Sequence, residues 1–165
     1  ECGVDNLNRL LQEALNPKSQ AKPEYVGASH TFRLGDKVMQ TKNNYTKQVF
    51  NGDIGFITAL DASGLSVRFG EGLVVGYERG ELGELQLAYA MSVHKSQGSE
   101  YPVIVLPLVA GHRIMLQRNL LYTAVTRARE KVILLGSRAA LRTAVENDRT
   151  KRRYTLLAER LARRK

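Results

Sequence analysis

The chain is 165 residues long, 43% apolar and 25% charged, with a formal net charge of +9, the balance of one ordinary water-soluble domain or two small ones. Its longest apolar runs are far too short to span a bilayer, no secretory signal pattern opens it, and its single cysteine, Cys2, excludes an intramolecular disulfide and a cysteine-cluster metal site; a cytoplasmic setting with no membrane partner is the default expectation. The charge is uneven, since residues 149–165 hold eight basic groups and one acid, a tail that suits either nucleic acid or a solvated helix face.

Taken in order, Val4, Leu7, Leu10, Leu11 and Leu15 recur at helical spacing. They predict an amphipathic packing helix over residues 5–15, with Asp5 as N-cap, Gln12 off the apolar stripe and Asn16-Pro17 as the stop. Residues 18–29 read as a linker. From Thr31 the period shortens, and residues 31–34, 37–41, 55–60, 65–69 and 73–77 form five strand candidates separated by glycine- and aspartate-bearing turns. That density of short strands predicts a small SH3-like or OB-like barrel. The loop over residues 42–47 mixes Lys42, Lys47, Asn43, Asn44 and Tyr45, which suits contact with phosphates and bases and equally suits an ordinary exposed loop.

Beyond residue 80 the pattern becomes α/β. Residues 85–93 and 103–108 read as buried strands, 115–127 as a helix with Leu116, Leu120 and Ala124 at four-residue spacing, and 131–135 as a third buried strand closed by Gly136. Ser137 caps a helix running to about Glu146, and Leu156, Leu157 and Leu161 give the tail a weak amphipathic pattern. Strand, helix, strand, helix predicts parallel pairing with helices on the faces. The leading helix is expected in that layer, with the barrel inserted into it.

Between the strand candidates 85–93 and 103–108 lies the densest polar stretch, Ser92-Val93-His94-Lys95-Ser96-Gln97-Gly98-Ser99-Glu100. It is expected at the carboxyl edge of a parallel strand, where ligands bind. Ser92 and His94 flank Val93 and would share one side of the strand. A helix opening at residues 95–97 would aim backbone N–H groups at an anion. Gly98 permits close backbone approach, and Glu100 could accept from sugar hydroxyls. A serine hydrolase is disfavoured, because no Gly-x-Ser-x-Gly elbow is present. His30, His94 and His112 lack metal-ligand spacing. Arg118, Arg127 and Arg129 crowd the helix over 115–127; they could cap carbonyls and pair with acids, or hold phosphate with one guanidinium as an arginine finger. The sequence contains no Gly-x-x-x-x-Gly-Lys-Ser/Thr, so these residues do not cradle a nucleotide alone.

These motifs resemble those of superfamily 1 helicases. His94-Lys95-Ser96-Gln97-Gly98-Ser99-Glu100 resembles motif V, and Leu121-Tyr122-Thr123-Ala124-Val125-Thr126-Arg127-Ala128 resembles motif VI. Gly35-Asp36-Lys37-Val38-Met39-Gln40 and Asn51-Gly52-Asp53-Ile54-Gly55, with Leu7–Pro17, are similar to the RecD/TraA branch. The resemblance implies a RecA-like parallel-sheet half-domain with an inserted small SH3-like β-barrel. Its parts would be the start of domain 2A (residues 1–29), the 2B insertion (30–80), the remainder of 2A (81–148) and a basic tail (149–165). It further implies that Ser92 and His94 contact the single-stranded DNA backbone, with Ser92 standing where the family has threonine. Gly98 would lie near the γ-phosphate, Glu100 at the ribose, and Arg127 would be the arginine finger; Arg118 and Tyr122 match the start of motif VI. Asn44 and Tyr45 are the loop residues assigned to DNA. ATP and Mg²⁺ would be held mainly by a domain 1A of the same polypeptide that these residues lack, so the chain alone is expected to be inactive as an ATPase. The abrupt start at Glu1-Cys2 agrees with a carboxyl-terminal piece. The alternative is a stand-alone nucleic-acid-binding module with no ATPase role.

Overall fold

The structure is a computed structural model that describes residues 3–27, 31–109, 111 and 115–148. Cys2, His30, His112 and the basic tail lie outside the described residues. The chain divides into two compact units, Glu1–Gly98 and Ser99–Lys165.

The first unit is built on a five-stranded antiparallel sheet of order β6-β5-β4-β3-β7. Its strands are β3 (Lys37–Gln40), β4 (Ile54–Leu60), β5 (Gly64–Phe69), β6 (Leu73–Glu78) and β7 (Leu85–Leu87). Period-two alternation sends Val38, Ile57, Val67, Val75 and Leu87 to one face, where they form the core with Phe32, Val49, Leu65 and Tyr77. A register shift between Ile57 and Ala59 re-aims the end of β4. A 3₁₀ turn at Arg79–Glu84 closes the core with Leu82. A separate two-stranded antiparallel pair joins β1 (Glu24–Val26) to β2 (Thr31–Arg33).

Several expectations are corrected here. The strand expected over residues 85–93 stops at Leu87 and pairs antiparallel with β3, because beyond it both backbone groups of Ala90 are taken by the Asn8 side chain instead of a ladder partner. The supposed linker contains β1, and residues 31–34 pair with it instead of entering the main sheet. Gly3, not Asp5, is the N-cap of helix α1 (Val4–Leu15), since the Leu7 N–H already closes on the Gly3 carbonyl at 2.9 Å.

Helix α1 packs in the first unit, and it does so by its polar side. Asn8, Gln12 and Asn16, spaced by four, are its buried residues, whereas Leu10 and Leu15 are exposed, Leu15 at 68%. Gln12, expected off the contact stripe, lies in its middle. The cause is Asp36, whose fully buried carboxylate accepts from Gln12 Nε2 (2.6 Å), Asn16 Nδ2 (2.8 Å), the Arg33 N–H (2.7 Å) and the Tyr89 hydroxyl (2.9 Å). A buried carboxylate needs such donors to offset lost hydration, and the helix provides them in place of its leucines. Arg33 adds an ion pair to Glu13 at 2.6 Å and a bond to the Asn16 carbonyl at 3.0 Å.

The second unit pairs β8 (Tyr101–Leu108) with β9 (Ala128–Gly136) in parallel. They are joined through α2 (Arg118–Val125) and followed by α3 (Arg138–Glu146). Ser137 caps α3 as expected, its side chain accepting from the Ala140 N–H. Leu108, Leu116, Ala140 and Ala144 form a small core with Leu106, Leu121 and Leu141. The strands read as wholly buried are half uncovered: Val103, Val105, Ile133, Leu134 and Leu135 are exposed. The helices cover one face, and no described residue covers the other.

Candidate functional site

In the first unit the polar stretch is a run of turns. The Ser96 N–H closes on the Ser92 carbonyl at 3.2 Å and the Gln97 N–H on the His94 carbonyl at 3.3 Å, with no helix at residues 95–97. Ser92 is therefore not on a strand, and no helix N-terminus faces a ligand. Ser96, 8% exposed, donates to the Val93 carbonyl at 2.8 Å and is structural. The turn is fixed at its root. Asn8 clasps Ala90 at both backbone groups, Oδ1 accepting from the N–H at 2.8 Å and Nδ2 donating to the carbonyl at 2.9 Å. Tyr89 is tied to Asp36; burial, with the Asp36 charge beside it, pushes its phenol up to about 12.

The geometry leaves Ser92 and His94 available. The Ser92 Oγ accepts weakly from the Lys95 N–H (3.4 Å), so its own proton is free to donate. His94 is exposed. Lys95 lies against β7, donating to Gln86 Oε1 at 2.6 Å. Ser92, Lys95, Gln86, Asn8 and Arg9, with Val4 and Leu87, line an open groove of about 820 Å³. Gly98 has φ +88°, a left-handed conformation that explains the glycine without a ligand.

The loop over residues 42–51 divides its two candidates. The side chain of Asn44 holds the loop: Oδ1 accepts from the Lys47 N–H at 3.1 Å and Nδ2 donates to Glu84 Oε2 at 3.4 Å. Tyr45 is presented, 75% exposed, with its ring edge-on to the exposed Phe50 at 5.8 Å. Phe50 is the partner the sequence did not single out; its place two residues before Gly52-Asp53 was the available signal. Lys47 is not free for phosphate, because it pairs with Glu81 at 2.5 Å, donates to the Gly76 carbonyl and sits 4.6 Å from the Tyr77 ring centroid.

In the second unit Ser99, Glu100 and Arg127 meet at the amino-terminal edge of the parallel pair. Tyr101 pairs with Ala128 and its N–H donates to the Arg127 carbonyl at 2.8 Å. That corrects the expected carboxyl edge: the strand entering the stretch belongs to the antiparallel sheet, so the parallel strands begin after it. Arg127 is half-buried and its guanidinium reaches only carbonyls, Ser99 O and Thr123 O, each at 3.4 Å. No carboxylate neutralises it among the described residues. Arg129 instead pairs with Glu100 at 2.9 Å, with both side chains exposed. Helix α2 ends at Val125, so the two arginines flank Ala128 at the start of a strand and both approach the 99–100 segment. Arg118 pairs with Asp148 at 2.9 Å and Tyr122 is exposed.

With this geometry in place, the comparisons are specific. Residues 7–69 match the SH3 domain of ATP-dependent RecD-like DNA helicases, and residues 87–135 match the UvrD-like helicase C-terminal domain. Both matched segments are helicase segments, and the first of them is RecD-like. It is 41% identical over 155 residues to the ATP-dependent RecD2 DNA helicase of Deinococcus radiodurans, an alignment covering 94% of this chain and 21% of that protein. It is 37% identical over 143 residues to the RecBCD enzyme subunit RecD of Mycobacterium tuberculosis, covering 87% of this chain and 24% of that one. The chain thus spans about a fifth to a quarter of the length of these curated relatives. In fold it is similar to the Pif1 helicase from Bacteroides in complex with ADP-AlF3 and single-stranded DNA, with a TM-score of 0.63 and 19% identity over 95% of this chain and 42% of that one. Bacteroides Pif1 bound to single-stranded DNA gives a TM-score of 0.58 at 20% identity, over 84% and 42%.

Proposed function

We propose that this RecD-like chain is the carboxyl-terminal part, a RecA-like 2A with an SH3-like 2B, of a longer ATP-dependent DNA helicase. The observation that carries the proposal is the serial match of both helicase regions along a chain that aligns over 94% of itself and only 21% of its relative. The apolar face of β8 and β9 supports it, being patterned for burial that the described residues do not supply.

Ser92 donates its hydroxyl, and His94 a ring N–H, to backbone phosphates of single-stranded DNA. Tyr45 offers its ring to a base, and Asn44 acts by holding the loop that presents it. The nucleotide edge rests on Gly98 by sequence match, with Glu100 at the ribose and Arg127 at the phosphates. Arg127 fits that task, because its guanidinium is partly desolvated and lacks a neutralising carboxylate among the described residues. Glu100 fits once it exchanges Arg129 for sugar hydroxyls, since their ion pair is exposed and weak. When bound, ATP supplies the phosphoanhydride bond whose hydrolysis drives movement; Arg127 neutralises charge developing on the transferred phosphoryl group. Mg²⁺ would bind with the nucleotide phosphates and is assigned mainly to the domain 1A of the same polypeptide.

The test is fluorescence anisotropy of a labelled thymidine oligonucleotide with the chain carrying Ser92→Ala and His94→Ala together. Binding is expected to weaken roughly tenfold, the loss of two phosphate-directed hydrogen bonds. Unchanged affinity would remove the turn from the DNA path and favour a module that binds elsewhere.

A further inference from the structure

The water-facing side of the antiparallel sheet carries a row that neither the core nor the candidate site uses. Directly paired residues point to the same face. The register sets Lys37 of β3 beside Phe56 of β4, Phe56 beside Arg68 of β5, and Arg68 beside Val74 of β6. The core takes the alternate positions, Val38, Ile57, Val67 and Val75. Phe56 is 48% exposed and Val74 58%; Arg68 is exposed and Lys37 half-buried. Neither cation's side chain has a partner among the described residues, and the row contains no carboxylate. A phenyl ring is thus held in water, and the strands on either side of its own, each one interstrand spacing of about 4.8 Å away, carry an unpaired cation.

Toward the candidate turn this side of the sheet becomes covered. Met39 follows Lys37 by two residues and pairs with Gln86, whose side chain accepts from Lys95 Nζ at 2.6 Å. Met39 itself is buried, at 1% exposure, so the exposed row ends at Lys37 and Lys95 lies beyond a covered stretch.

We infer that the row Lys37–Phe56–Arg68 is a second contact for single-stranded nucleic acid, on the outer face of the sheet and separate from the 91–98 turn. It rests on the reading of single-stranded DNA as this chain's ligand. Phe56 stacks on a base, and Lys37 and Arg68 take the flanking phosphates. An aromatic face between two cations fits a strand of alternating base and phosphate in a sequence-tolerant way. An apolar protein partner would leave both cations buried and unpaired, at a desolvation cost with no return.

The experiment is anisotropy of a labelled thymidine oligonucleotide with the 165-residue chain across a salt series. Phe56→Leu keeps apolar bulk and removes the ring; it is expected to weaken binding roughly tenfold, whereas Phe56→Tyr binds like the unaltered chain. Arg68→Gln is expected to flatten the log–log salt slope by about 0.7, one phosphate on a single strand. Both positions are exposed, and thermal melts by circular dichroism verify that the variants fold. If Phe56→Leu and Arg68→Gln bind normally while the Ser92→Ala, His94→Ala double variant is weakened, the row lies off the path and only this inference falls. If Arg68→Gln acts but Phe56→Leu does not, stacking is wrong and the inference is likewise overturned. If no variant changes binding, or the unaltered chain does not bind at low salt, the inference and the proposed function fall together.

Discussion

In the antiparallel unit Val38, Ile57, Val67 and Val75 alternate with water-facing neighbours, and all four are buried. In the parallel unit Val103, Val105, Ile133 and Leu135 come from nearly continuous apolar runs, and all four are exposed. Alternation specifies a strand with one wet face, a requirement the first unit meets within itself. A continuous run specifies burial on both faces, and α2 with α3 covers only one. Hydrophobicity alone is thus a poor guide to which unit is self-sufficient; its period is the better one. Helix α1 makes the same point in reverse. Its leucine stripe is the obvious contact face, yet its amides seek the Asp36 carboxylate and leave Leu10 and Leu15 outside.

That contrast can be broken by substitution. Ile57→Ala is expected to cost about 2–5 kcal/mol, transfer plus cavity, in urea unfolding of the chain. Leu135→Ser, at an equally apolar position in the sequence, should stay within about 0.5 kcal/mol and reduce self-association. Equal losses at the two sites would mean that the second unit's bare face is covered in solution.

Asp36→Ala should cost about 3 kcal/mol, because it orphans the donors of Gln12, Asn16 and Tyr89 in a buried seam. Asp36→Asn should fall between, since an amide accepts at one atom only. A silent Asp36→Ala would show that α1 docks by its leucines after all.

The smallest effect is a pH dependence. Tyr89 is held at about 12 by burial and by Asp36, against about 10 in an unfolded chain. Its folded value is raised, so its contribution is complete below pH 10 and is lost as pH climbs through about 12. Burial, with Glu84 next, raises Tyr77 as well. Tyr89→Phe should therefore remove part, not all, of the fall in urea midpoint between pH 8 and pH 11.

Much of this was legible in the sequence. Strands β3 to β6 lie within about two residues of their expected ends, because Gly, Asn and Asp punctuate a clean two-residue period. Ser137 announced α3 by capping chemistry. Three things were not legible, for physical reasons. The short run at residues 85–87 is as apolar as a core strand, and only its register with Met39 and Gln40 assigns it to the antiparallel sheet. Asp36 looks like a turn residue after Gly35, and nothing local reveals that four donors converge on it. Arg127 and Arg129 read as neighbours on one helix; where α2 ends decides that they share a side.

The central claim, that this chain contributes the finger and not the cradle of an ATP site, is tested most directly by steady-state ATP turnover with saturating single-stranded DNA. The measurement compares the 165-residue chain with the longer polypeptide that the claim requires, unaltered and carrying Arg127→Lys or Arg129→Lys. The account predicts no turnover by the chain alone and a loss of about 10³–10⁵-fold for Arg127→Lys in the longer protein, because a point charge does not reproduce the planar fork; Arg129→Lys should cost little. DNA-stimulated turnover by the chain alone, or a dead Arg129→Lys beside an active Arg127→Lys, would contradict it.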